Sequence, residues 1–234
     1  ILHLLLTATF VAIPLALRDA GLPSDRHWEV YLPALLFSMV AIVPFIILAE
    51  KHHRLKPVFL GAILTLALTE FGLLTLHDQV LEMSVLLLTF FTGFNLLEAT
   101  LPSLIAKMAP PDAKGTAMGV YSSSQFLGAF AGGALGGWLN GQFGPHGVFA
   151  FATLGALAWL LVAWTMREPP YLSGYLLNVG ILDEVEAQLL TLRLVEVPGV
   201  AEAAVAADEG VAYLKVDRRT LDEAMLRQFA ADTP

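Results

Sequence analysis

Apolar residues fall in long runs broken by short polar or helix-ending stretches, and that alternation organises most of the chain. Six runs stand out, at approximately 1–17, 28–49, 57–76, 80–106, 115–141 and 147–166. A spanning helix needs ~20 mostly apolar residues to cross ~30 Å of hydrocarbon, so each run predicts a transmembrane helix. The breaks carry helix-ending chemistry: Gly21-Leu22-Pro23-Ser24-Asp25, Glu50 to Pro57, His77-Asp78, Pro110-Pro111-Asp112 and Phe143-Gly144-Pro145. Beyond Arg167-Glu168-Pro169-Pro170 the pattern changes. Short strand-like stretches at 175–181, 200–206 and 211–216 alternate with helical periodicity at 183–195 and 220–231. Thr220 to Glu223 resembles a capping box, and Asp208-Glu209-Gly210 signals a hairpin. The order β-α-β-β-α predicts a small α+β module close to a ferredoxin-like sandwich.

Composition sharpens this division. Of the 234 residues, 56% are hydrophobic and 15% charged, and mean hydropathy is +0.68, outside the range of ordinary soluble chains. Residues 1–168 carry eight Lys/Arg against ten Asp/Glu, whereas 169–234 carry five against eleven. The expectation is a membrane domain at 1–168, then a linker and an acidic soluble domain at 169–234. A net charge of −8 offers no basic patch for nucleic acid. The absence of Cys excludes disulfides, thiolate metal sites and Cys nucleophiles. The chain opens on Ile1-Leu2-His3-Leu4-Leu5-Leu6 without an initiator Met or a basic n-region, which reads as the interior of a longer sequence and not as a signal peptide.

Loop charges give the orientation. Lys51, Arg54, Lys56, Lys107, Lys114 and Arg167 fall on one side and only Arg18 and Arg26 on the other. By the positive-inside rule the first side is cytoplasmic, and the C-terminal module with it.

Ionisable groups within spans are costly and therefore candidates for function. Glu98 lies about nine residues, or ~13 Å, from the cytoplasmic end of its helix. Asn95 shares its face, and Pro102 cannot donate to the Glu98 carbonyl. A carboxyl withdrawn from water can take up and release a proton near neutral pH. His3 and Gln125, the latter beside Tyr121 and Ser122-Ser123-Ser124, are further cavity candidates. Glu70, near the outer end of its helix, reads as structural and within reach of the interface. His52-His53 has no third ligand nearby, so no metal site is expected, and nothing suggests a cofactor. Gly119, Gly128, Gly132, Gly133, Gly136 and Gly137 form a stripe of the kind that lets membrane helices pack closely.

Several of these motifs resemble the major facilitator superfamily. Ala49-Glu50-Lys51-His52-His53-Arg54-Leu55-Lys56 is similar to its short charged cytoplasmic-loop motif, with Glu50 where the stricter version has Asp and without its glycines. The spacing from Gly119 through Gly128, Gly132 and Gly133 to Gly136 and Gly137 is similar to its antiporter motif, with Gly133 where that motif has Pro. The resemblance implies the C-terminal six-helix half of a proton-coupled secondary transporter, an efflux antiporter of small molecules in the inner membrane. Its implied partners are the lipid bilayer, protons, a small-molecule substrate and the N-terminal half of the same transporter. The region around Val197-Pro198-Gly199-Val200 also resembles heavy-metal-associated domains, but Val179-Gly180-Ile181-Leu182-Asp183 lacks their Cys pair. A rival reading is a regulatory or sensory membrane protein whose helices anchor a cytoplasmic ligand-binding module. No nucleophile–base pair or phosphate loop suggests an enzyme.

Overall fold

The computed structural model describes residues 1–110, 113–166 and 172–231. Arg167, the Pro169-Pro170 spacer, and Pro111-Asp112 of one expected break lie outside the described residues. The chain divides into two compact units. One joins Ile1–Leu104 to the stretch from Gly119, and the other joins Ile105–Met118 to the C-terminal residues.

The apolar runs become helices α1 (Leu2–Asp19), α2 (Trp28–Ala41), α3 (Val43–Glu50), α4 (Leu55–Thr75), α5 (Val80–Met108) and α6 (Lys114–Trp164). The second run is divided at Ile42 because Pro44, in the first turn of α3, has no N–H for the Val40 carbonyl. Five helical stretches among the described residues have membrane-crossing length and apolarity, with α2 and α3 counted together from Ser24 to Glu50. The run expected at 115–141 and all but the last two residues of that at 147–166 fall within the 51-residue α6, which is interrupted at Gly144 (φ 66°, ψ −168°). Only glycine adopts that backbone readily, and Pro145 follows it.

Within the first unit the core is built from aromatic and branched side chains, among them Phe90, Phe149, Leu5, Ile13, Leu66 and Leu97. The outer faces are equally apolar: Phe126 and Phe130 are 77% and 75% exposed. A helix apolar on all sides is suited to lipid, where its own ladder satisfies its backbone.

In the second unit, β1 (Ser173–Asn178), α7 (Glu184–Val195), β2 (Val200–Ala206), β3 (Val211–Val216) and α8 (Glu223–Arg227) follow in sequence. The sheet is antiparallel with order β1-β3-β2. Leu177, Val200, Ala212, Leu214, Leu194 and Leu226 form its core. Asp183 and Glu186 form a reciprocal capping box that fixes the start of α7. The turn after β2 closes with Gly210 at φ 68° and its N–H on the Ala206 carbonyl. The box expected at Thr220–Glu223 does not form. Asp222 caps α8 instead, accepting from Met225 N at 2.9 Å, while Thr220 turns back to the Asp217 carbonyl. A carboxylate two residues nearer the helix takes the cap in place of the hydroxyl, so α8 starts late and is short. Lys215 of β3 is 5% exposed. It pairs with Glu202 of β2 at 2.9 Å and also donates to the carbonyl of Ala109, just past the end of α5.

Candidate functional site

Helices α1, α5 and α6 bring three of the four cavity candidates together. Glu98 Oε1 accepts from Gln125 Nε2 at 2.9 Å, and the same nitrogen lies 2.8 Å from the Tyr121 hydroxyl oxygen. Glu98 Oε2 sits 3.8 Å from His3 Nε2, beyond hydrogen-bond reach but within ion-pair range if the imidazole is protonated. The Glu98 side chain is 38% exposed as a whole, yet its Oε2 is enclosed and has no hydrogen-bond partner among the described residues. The His3 ring packs edge-on against Phe94 at 5.9 Å. A cavity of about 220 Å³ lies at this cluster, lined by His3, Tyr121, Ser124, Gln125, Leu101 and Trp159. The cluster thus joins an acid, a potential cation and amide and phenol groups on three helices.

Asn95 faces elsewhere. Its Nδ2 donates to Ser38 Oγ on α2 at 2.9 Å, so it links α5 to α2 rather than to Glu98. Pro102 lies within α5 and leaves the Glu98 carbonyl without its usual helical donor.

The loop residues form a second group. Glu50 ends α3 and accepts from Ser103 Oγ of α5 at 2.8 Å. Lys51 and Arg54 are exposed and Lys56 is half-buried. The turn is made at His53, whose φ of 54° places a non-glycine residue in the left-handed region.

The glycine stripe divides by face. A Cβ at Gly132 would collide with the Leu4 carbonyl and Thr7 Oγ1, and one at Gly136 would stand 2.7 Å from Ala8 Cα. At Gly128 the nearest atom would be Leu4 N at 3.4 Å. Close approach of α1 and α6 is fastened by Thr7 Oγ1, which donates to the Ala129 carbonyl at 2.8 Å. Gly119, Gly133 and Gly137 have nothing within 4 Å of an added Cβ.

Glu70 differs from its expected place near the interface. It is wholly buried, and Oε1 accepts from Thr9 Oγ1 of α1 at 2.6 Å, while Oε2 has no hydrogen-bond partner among the described residues. Thr9, Ser38 and Ser103 carried no signal in the sequence, since a lone hydroxyl in an apolar run is unremarkable until its neighbour is known.

Residues 1–194 match the model of the Major Facilitator Superfamily, and the chain belongs to that family of transporters. It is 45% identical over 228 residues to the inner membrane transport protein YajR of Escherichia coli (strain K12), covering 97% of this chain and 50% of that protein. It is also 31% identical over 185 residues to the multidrug resistance protein MdtH of Enterobacter sp. (strain 638), covering 76% of this chain and 45% of that protein. A multi-drug resistance efflux pump PmrA homolog of Lactococcus lactis subsp. lactis (strain IL1403) is 31% identical over 176 residues, covering 71% and 42%. The chain spans about half the length of these curated relatives.

Proposed function

We propose that this chain is the C-terminal half of a proton-coupled efflux antiporter of small molecules, with Glu98 carrying the coupled proton. On this reading α6 crosses the membrane twice, turning at Gly144, which makes six spans within 1–168. The acidic module at 169–234 is a ferredoxin-like domain on the cytoplasmic side of the inner membrane. Support for six spans comes from the length of α6, which at 51 residues is more than twice what one crossing requires. The β1-β3-β2 order supports the domain assignment, and the name of one relative, a multi-drug resistance efflux pump homolog, supports the direction of transport.

The observation that carries the proposal is the His3–Glu98–Gln125 cluster beside its cavity. Gln125 orients one carboxylate oxygen and leaves the other for the proton, within reach of His3 when the helices shift. A neutral Glu98 removes the cost of a charge within the span and favours one arrangement of α1, α5 and α6; an ionised Glu98 favours another. Substrate binding that prefers the second arrangement would then be coupled to proton release. The test is Glu98→Gln in the full-length transporter reconstituted in proteoliposomes. Proton-driven flux should fall to background while purification behaviour stays that of the wild type. Flux with the wild-type dependence on the pH gradient would overturn the assignment.

A further inference from the structure

An apolar groove in the first unit lies away from the Glu98 cluster. It has a volume of about 380 Å³ and is walled by Phe45 and Leu48 of α3, Val58 and Thr65 of α4, and Thr92 and Leu96 of α5. Arg54 lines one end, at the start of α4. From Arg54 to Thr65 the helix advances ~16 Å at 1.5 Å per residue, close to the depth of one ~15 Å hydrocarbon leaflet. The groove therefore begins at the basic loop and runs about one acyl-chain length toward the bilayer centre.

Its apolar character is built in. Thr65 and Thr92 direct their hydroxyls to the Gly61 and Leu88 carbonyls of their own helices at 2.9 and 2.8 Å. Gly61 opens the wall: it is exposed, and nothing lies within 4 Å of where its Cβ would be. Glycine weakens a helix interior, and here no tight helix contact requires it. At Gly93, by contrast, a Cβ would meet the Ala62 carbonyl at 3.2 Å, so α4 and α5 close the groove from behind. At the mouth Arg54 is exposed and makes no ion pair among the described residues. Lys51 and Lys56 add positive charge within three residues of it.

We propose that this groove is a binding site for one anionic phospholipid, with an acyl chain along Gly61 and the phosphate at Arg54. The inference depends on α3, α4 and α5 being membrane helices and not on the proton chemistry at Glu98. Inside a bilayer an acyl chain gains no hydrophobic driving force by moving from lipid to protein, so shape and dispersion position the chain. Selection falls to the headgroup, where planar guanidinium and phosphate pair well. A lipid bound there would brace α3, α4 and α5 against one another beside the charged loop.

The test uses the full-length transporter in mild detergent, titrated with phosphatidylglycerol or with phosphatidylcholine of the same acyl chains and read by native mass spectrometry. The wild type should retain one phosphatidylglycerol in preference to phosphatidylcholine. Arg54→Gln should lower that preference about fivefold, the usual effect of one interfacial cation. Gly61→Phe should fill the groove and abolish the retained lipid of either kind, whereas Leu68→Phe, exposed on the same helix outside the groove, should leave it bound. Gly61→Ala, whose Cβ meets nothing, controls for helix effects and should bind as the wild type does. Equal retention of the two lipids by the wild type would overturn the proposal. So would phosphatidylglycerol retained by Gly61→Phe, including the case in which that variant instead loosens assembly with the other half of the transporter.

Discussion

At Glu70 and Glu98 the same side chain has two different settings. Glu70 is sealed between α1 and α4 with Thr9 as its donor, whereas Glu98 accepts from Gln125, a residue of the cavity lining, and faces an imidazole. Sealing makes the first a fastener. A double-mutant cycle on Thr9→Val and Glu70→Gln, read by denaturant unfolding, should give a coupling of about 0.6–1.7 kcal/mol, the range for interhelical hydrogen bonds in membranes. A value near zero would mean that α1 and α4 do not depend on this bond. The sequence reveals both carboxyls, because an acid in an apolar run is conspicuous, and the depth of Glu98 follows from counting residues. Their partners are another matter. Periodicity says which face of α5 holds Asn95 and Glu98 but not which helix stands opposite, so Asn95 lies only three residues before Glu98 while its bond goes to Ser38. Neighbouring glycines show the same limit. Gly132→Leu should destabilise the helical unit by ~1–3 kcal/mol through overpacking on Leu4 and Thr7. Gly133→Leu, open on its own side, should leave the melting temperature of that unit near the wild-type value.

Elements were the most legible level, for a physical reason. Length and apolarity decide whether a segment suits a bilayer, and both can be read without knowing any contact. The limits of α1, α4 and α5 accordingly lie within about two residues of the expected runs, in keeping with the usual fraying of helix ends. The departure came where one residue's conformation outweighs the average: Pro44 divides the second run. The break expected at Phe143-Gly144-Pro145 is present, made by Gly144 within an otherwise continuous α6. Gly144→Ala would force a side chain into a backbone region essentially reserved for glycine, costing ~1–3 kcal/mol. The expected outcome is a lower melting temperature with little change in helical circular dichroism, and an unchanged melt would show that the backbone relaxes there. In the C-terminal module two strands were legible as short apolar stretches and the third from its alternation, but the start of α8 was not, because Asp222 outcompetes Thr220 as its cap.

Over the whole molecule the layout rests on a count of basic residues in loops, which cysteine labelling can check directly. This chain has no Cys; with any cysteines of the other half replaced, Asp78→Cys in the full-length protein should react with an impermeant maleimide from outside the cell, and His53→Cys only after permeabilisation. The reverse pattern would invert the topology. The bond from Lys215 to the Ala109 carbonyl carries a different implication. Its two ends are 106 residues apart in sequence, but both belong to the second compact unit, which therefore includes the segment joining α5 to α6. Such a contact is intramolecular, and its occupancy depends on effective concentration: millimolar for a short tether, falling roughly as the −3/2 power of tether length. Even a weak pairing stays closed when the connecting spacer is only a few residues. Replacing Pro169-Pro170 with a Gly/Ser spacer of ten times that length would dilute the module about thirtyfold. Amide hydrogen exchange should then rise at Ala109 and Ala113, with Lys215→Met producing the same effect on the natural spacer. The prolines would thus set how strongly the module engages, through the volume they let it explore.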